Sequence, residues 1–467
     1  MEKLLEILTV NQIETLSYFS SELFCSIGII INLFFFLFLR KINNIKQISD
    51  LSSFIALSLA TISSFGIYLK NKFIFGEINF SLFSGDLNYT NESLLFKTLI
   101  YLFFAIFILC TYKLTKKARF NAGLINSCLL FIAIMSGLLI QIENGILAFL
   151  ILDICSFFIY KFASNMRLRK YEIYSPDFVL MSASASILFY SFYLLSYWIK
   201  DDLQLEIIQV CVVCALLFKA GLFPIYNYSL NRYTKNNIPY SILLFGFLPY
   251  LGVITFIKFI QNIDFSNKVF FITLSIFALI SALSFAINAF RAKNLVKFFA
   301  NITYTNCAFY IISALFMQDS LLIFNTIFMS IFLTFSLYSM LAILKINLKL
   351  EKINITSLKN LFIKNRGFCM LFSILVLIGS NVIPSSIFVN NLELLNGIYK
   401  FDKIGSYFVI SFLFFELLLA LNTFKIIKTI YSTQKLIKPQ DKFKKRTTPN
   451  YVVPFVVIFL ITILIFL

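Results

Sequence analysis

Lys219 stands inside an apolar run that begins near Gln204, and Pro224 follows it closely. An ionisable group at membrane depth is costly and by default marks a path for an ion or a proton. A proline within a span frees backbone groups that only protein or a water-lined cavity can satisfy again. Charge and break together are the pattern of transporter helices. Lysine also suits proton exchange, because its affinity for the proton changes readily on burial, whereas arginine stays charged. A second ionisable group, Glu416, lies inside another apolar run and needs a partner there. It reads either as a proton carrier or as a helix-packing or salt-bridge partner. The chain has no histidine, and its eight cysteines are scattered. Cys211 and Cys214 form a C-x-x-C, but on a helix that spacing only puts two small apolar side chains on one face. A bound metal or haem is therefore not expected.

The elements that must hold these groups are membrane helices. Of 467 residues, 60% are hydrophobic, and the mean hydropathy is +0.87. Apolar runs long enough to cross a bilayer recur along the chain, and about fourteen spans are expected. They cover residues 18–39, 51–69, 94–112, 120–141, 145–163, 178–199, a seventh from 204 broken at Pro224, 240–260, 269–290, 299–317, 321–344, a twelfth from 368 broken at Pro384, 404–427 and 451–467. The net charge of +18 is distributed as topology rather than as a nucleic-acid surface. Loops after odd-numbered spans are basic, as at Arg40, Lys41 and Lys46, at Lys113 to Arg119, and through 345–366 and 435–446. Loops after even-numbered spans are neutral or acidic, as at Asp86 and Glu92, Glu143, and Asp201 and Asp202. The positive-inside rule then puts the odd loops in the cytoplasm and both termini on the outer side of a bacterial inner membrane. The first sixteen residues lack the basic start and apolar core of a cleavable signal.

Broken spans seven and twelve lie five spans apart, so spans 4–8 and 9–13 read as two inverted five-helix repeats. The expected divisions are 1–119, the first three spans; 120–262, the first repeat; 263–430, the second repeat; and 431–467, a basic loop with the last span.

The stretch 219–239 resembles the seventh-helix signature of the proton-conducting membrane subunits of respiratory complex I and the related Mrp-type cation/proton antiporters. Lys219, Pro224, Tyr233 and Pro239 keep that spacing. Ile225 and Tyr226 stand at its Phe-His, Tyr228 at its Trp and Asn231 at its Asp. Asp153, Ser156 and Tyr160 are similar to the family's Glu-x-x-Ser-x-x-x-Tyr, with Asp153 at the glutamate. Residues 294–300 resemble its Asn-Leu-Lys-Arg-Leu-Leu-Ala, with Val296 and Lys297 at the basic pair. Ile383-Pro384-Ser385-Ser386 looks like the Gly-Ile-Pro-Pro of its twelfth-helix break. Within the family, the length and the lack of a long carboxy-terminal extension are most like the subunit N (subunit 2) branch.

The resemblance implies a proton-translocating, antiporter-like membrane subunit of an NADH:quinone oxidoreductase, assembled with other membrane-arm subunits and carrying no redox group or other cofactor itself. It implies a charge pair of Asp153 and Lys219, which reads either as a proton switch or as a fixed brace. The family's lysine on helix eight falls on Pro249, and its charge on helix twelve falls on Leu392, with Glu393 beside it as a substitute. The proton-path residues expected are thus Asp153, Lys219, Glu416 and Glu393. Two alternatives remain, a subunit of a monovalent cation/proton antiporter complex and a structural relative that does not conduct. Lys97 and Lys258 lie near span ends and are expected to snorkel to the interface. Asn301, Thr303, Tyr304 and Asn306 are expected to form hydrogen bonds between helices.

Overall fold

The computed structural model describes residues 17–38, 45–75, 80–82, 86–111, 122–165, 176–198, 202–222, 238–261, 268–317, 320–348, 353–364, 366–382, 385–401 and 403–432. The chain divides into two compact units, Met1–Tyr174 and Ser175–Leu467.

The first unit contains α1 (Ser20–Phe38), α2 (Ile45–Lys70), α3 (Asn91–Thr111), α4 (Ala122–Gln141) and α5 (Gly145–Asn165). Helix α1 buries Ser21, Cys25, Gly28 and Asn32, a stripe at helical spacing. Its small residues let the backbones approach, since a Cβ added at Gly28 would lie 2.7 Å from that of Ala56 on α2. Asn32 ties the helices with neutral hydrogen bonds. Its Nδ2 donates to Ser53 Oγ (2.8 Å), and its Oδ1 accepts from Ser49 Oγ (2.7 Å). Asn126 on α4 joins by donating to Ser49 Oγ (2.9 Å) and Asp50 Oδ1 (2.7 Å). Within the loop between α2 and α3, β1 (Phe80–Leu82) pairs antiparallel with β2 (Leu87–Tyr89). Leu87 also bridges Ile142, so the turn between α4 and α5 holds the hairpin. Strands of three residues are too short for period-two alternation to reveal them in sequence. Thr90 and Ser93 cap α3 reciprocally, each backbone N–H donating to the other's hydroxyl (3.0 and 3.1 Å).

The second unit contains α6 (Pro176–Trp198), α7 (Asp202–Lys219), α8 (Ile238–Gly246), α9 (Leu248–Gln261), α10 (Lys268–Arg291), α11 (Leu295–Phe316), α12 (Ser320–Leu348), α13 (Leu361–Lys364), α14 (Arg366–Gly379), α15 (Ser386–Phe401) and α16 (Lys403–Tyr431). Helices α9, α11 and α12 are buried on nearly all sides, α11 with Asn301, Thr303, Thr305 and Asn306 among its buried residues. Helices α10 and α16 turn apolar side chains outward, among them Ile276, Ile280, Ile410 and Leu417. Helices α8 and α9 are one span interrupted at Phe247, with Pro249 in the first turn of α9. Pro249 has no N–H to donate and crowds the preceding turn. Nearby, Gly246 O accepts from Thr334 Oγ1 of α12 (3.2 Å).

The fold is all-helical and polytopic, and ten helices among the described residues are long and apolar enough to cross a membrane. Expected spans one to six and eight to thirteen coincide with helices or half-helices. Span seven is described to Leu222, and span fourteen (451–467) lies outside the described residues.

Helices α7 and α14 stop in the same way. At α7, Gly221 N donates to Phe218 O (2.9 Å) and Leu222 N to Leu217 O (2.9 Å). At α14, Asn381 N donates to Ile378 O (3.0 Å) and Val382 N to Leu377 O (3.0 Å). Each is a Schellman closure, which needs a left-handed residue after the helix. That residue is Gly221 (φ 80°) at one end and Asn381 (φ 53°) at the other. In both, the proline comes two positions after the closure, as Pro224 and Pro384, and both prolines lie outside the described residues. The second half of span twelve resumes as α15, where Ser385 Oγ accepts from Phe388 N (3.3 Å) as an N-cap.

Gly221 is doubly constrained, because a Cβ there would overlap the Tyr304 ring of α11. Gly221→Ala is expected to lose about 1–2 kcal/mol from its left-handed backbone alone, with the overlap added. Thermal unfolding of the solubilised protein checks this, and Tyr304→Ala combined with Gly221→Ala should recover the overlap share but not the backbone share.

Candidate functional site

The α7 break presents Lys219. As the last residue of α7, it extends a side chain whose Nζ donates to Ser182 Oγ (2.7 Å) and Ser182 O (3.1 Å) on α6. The break is packed from two sides. A Cβ added at Gly252 of α9 would come 2.7 Å from Ala220 Cα and 2.9 Å from Lys219 O. From the other side comes Tyr304, itself stacked on Phe285 with ring centroids 4.8 Å apart. The lysine is thus placed by a rigid backbone and met by a hydroxyl and a carbonyl.

The α14 break presents a carboxylate instead. Glu416 on α16 accepts a hydrogen bond at Oε1 from Asn381 Nδ2 (2.9 Å). The residue that supplies the left-handed turn therefore also holds the charge. Glu416 Oε2, Asn381 Oδ1 and both amide atoms of Asn391 are buried and have no partner among the described residues. These groups line a cavity of about 300 Å³ between α14, α15 and α16. The pocket opens beside the exposed Leu392, Leu413 and Leu417, and unsatisfied polar groups such as these are what ordered water occupies. A carboxylate with one oxygen held and one free, beside such a space, can take up or release a proton without moving its backbone.

The other expected residues fall as follows. Asp153 lies half-buried on α5 of the first unit, where its backbone carbonyl accepts from Ser156 Oγ (2.8 Å). Lys219 and Glu416 belong to the second unit. Leu392, at the register of the expected charge, lines the same cavity as Glu416. Its neighbour Glu393 is exposed on α15 and is not among the lining residues. Among the described residues no group of three or more histidine, cysteine or acidic side chains could hold a metal ion.

Two expectations are corrected. Thr303 does not link helices, because its hydroxyl returns to Phe299 O (3.1 Å) of its own helix, and both amide atoms of Asn301 are buried with no partner among the described residues. Lys97 and Lys258 do not snorkel, Lys97 being wholly buried and Lys258 nearly so. Sequence reasoning missed Asn381, Asn391 and Ser182, and Asn391 and Ser182 carry no signal of their own. For Asn381 one was present, an asparagine three residues before the proline of a broken span, at the register of Gly221 in the other.

No protein-family model matches the chain, and no curated protein matches it. The fold does match solved structures. A chain of respiratory complex I from Thermus thermophilus with bound aureothin aligns with a TM-score of 0.74 at 14% identity, over 95% of this chain and 96% of that one. A chain of the membrane-bound sulfane sulfur reductase, an archaeal respiratory membrane complex, aligns with a TM-score of 0.75 at 14% identity, over 95% and 93%. At that identity the shared property is the fold.

Asn381 performs two tasks that substitution separates. Asn381→Gly removes only the hydrogen bond to Glu416, whereas Asn381→Ala also strains the left-handed backbone. The alanine variant is expected to be less stable than the glycine variant by about 1–2 kcal/mol, read as the difference between their thermal unfolding curves.

Proposed function

We propose that the chain is a proton-translocating, antiporter-like membrane subunit of a respiratory NADH:quinone oxidoreductase, most like the subunit N branch. It sits in a bacterial inner membrane beside other membrane-arm subunits, with both termini outside. It binds no cofactor directly, and the redox chemistry belongs to its partners. Proton-path roles go to Asp153, Lys219, Glu416 and Glu393, and the divisions 1–119, 120–262, 263–430 and 431–467 follow the repeats. The observation that carries this reading is the pair of alike helix breaks, each presenting an ionisable side chain, Lys219 at one and Glu416 at the other. Whole-length likeness to chains of two respiratory membrane complexes supports the setting.

Leu392 and Glu416 lining one cavity explain how an apolar residue can stand where the family has a charge. The carboxylate comes from α16 instead of α15, and it reaches the same space. On this reading Glu416 is the principal acid at the second break, and Glu393 serves at the surface. An opposing observation favours the non-conducting relative, since Pro249 stands at a register where the family has a lysine and cannot carry a proton. The antiporter reading differs from the principal one in its partners, which would be small membrane proteins rather than flavin- and iron–sulfur-containing ones.

Proton translocation by the purified complex in vesicles decides among these. Lys219→Ala and Glu416→Gln are each expected to lower proton flux by about a hundredfold or more, while the complex still assembles. Lys219→Arg, which keeps the charge but cannot release its proton, is expected to fail as Lys219→Ala does. Undiminished flux in all three variants, in a normally assembled complex, makes the chain a structural subunit.

A further inference from the structure

The first unit holds a buried charge pair that the path above does not use. Lys97, on α3, is fully buried, and its Nζ lies 2.5 Å from Glu22 Oε1 on α1. The same nitrogen donates to Gln141 Oε1, at the last residue of α4 (3.3 Å), and lies 5.5 Å from the centre of the Tyr89 ring on β2. Glu22 Oε2 accepts from Ser21 Oγ (2.8 Å). Gln141 Nε2 is buried and has no partner among the described residues. Gly137 of α4 makes room for the cluster, since a Cβ there would lie 3.1 Å from Tyr101 Oη and 3.5 Å from Lys97 Cγ. An acid and a base are thus in direct contact where three helices and the hairpin meet.

A brace between helices does not require charges. At the other end of α1, Asn32 makes one with hydroxyls and amides. Two opposite charges taken out of water each carry a penalty of several kcal/mol, which their attraction repays only with good geometry and further hydrogen bonds. The pair has a simple way to shed both charges. One proton passes from Nζ to Oε1, an N–H bond breaks and an O–H bond forms, and ammonium and carboxylate become amine and carboxylic acid. No heavy atom needs to move over 2.5 Å. The two forms then differ only in where the proton sits.

The cluster also has a sealed side and an open one. Lys97 has no exposed side-chain surface, while 11% of that of Glu22 is exposed. Glu22 lies in the first turn of α1, Gln141 ends α4, and Lys97 is about 9 Å past the start of α3 at 1.5 Å per residue. Glu22 is therefore the less enclosed member of the pair, in the first turn of α1. Among the described residues, the titratable groups facing the pair are Cys25 on α1, Tyr89 on β2 and Tyr101 on α3; α4 contributes the neutral Gln141.

We propose that Glu22 and Lys97 form a proton-exchange site of the first unit, in which Glu22 takes a proton from the aqueous phase and shares it with the sealed Lys97. This site belongs to the first unit, whereas Lys219 and Glu416 belong to the second, and its test requires no turnover.

Infrared difference spectra of the full chain in lipid vesicles, taken between roughly pH 5 and 10, read the protonation of Glu22 directly. The expected result is a protonated-carboxyl band whose amplitude changes with pH, lost in Glu22→Gln and shifted in frequency in Glu22→Asp. Lys97→Met is expected to move the midpoint of that band by about one pH unit or more. If Glu22→Gln does not accumulate in the membrane, the aspartate variant and the parent chain carry the test together. A Glu22 carboxyl that keeps one protonation state across the whole range, or a titrating band unchanged by Glu22→Asp, overturns the proposal and leaves a fixed ion pair. Loss of proton flux in the Lys219 variants bears on the other site and changes neither outcome.

Discussion

A backbone that stops being helical inside a membrane must find its own hydrogen-bond partners. At α7 and α14 it does so by closing on itself, through two bonds around a left-handed residue. Much else in the second unit depends on that closure. It permits a helix to end at depth, and so to present a side chain there that an unbroken helix would turn toward a neighbour. It also demands tight surroundings, which α9 supplies through Gly252 and α11 through Tyr304. The buried position of α9, α11 and α12 follows from the same need, because the breaks require protein rather than lipid around them.

Three ionisable side chains are then held in three different ways. Lys219 meets a hydroxyl and a carbonyl, Glu416 meets an amide, and Lys97 meets a carboxylate. Glu416 has a neutral partner and a cavity beside it. The third is paired ion to ion and sealed. Neutral partners leave a group free to change charge without stranding an opposite charge. An ion pair can change only by passing the proton between its members or by gaining one from outside.

Much of the site was legible in sequence, though unevenly. The distance from Lys219 to Pro224 marked the first break, because proline and a charge both stand out in an apolar run. The second break was legible from Pro384 alone. Its chemistry was not, since Glu416 belongs to a different span and nothing in spacing shows that it meets Asn381. The sequence position of Lys97 points the wrong way for a related reason. A lysine near a span end usually reaches for water, and only the packing of α1 and α4 against α3 closes that way out.

Taken alone, the sequence determined the class of the protein and the order of its spans. Hydrocarbon thickness imposes a minimum length on every apolar run, and that rule acts residue by residue along the chain. It also determined where helices must break, because proline and the left-handed positions are local properties of the backbone. Tertiary structure alone decided which charges have partners and which partners they have. Those contacts join residues far apart in the chain, as Lys97 with Glu22 and Asn381 with Glu416, and they arise from helix packing that no local pattern encodes.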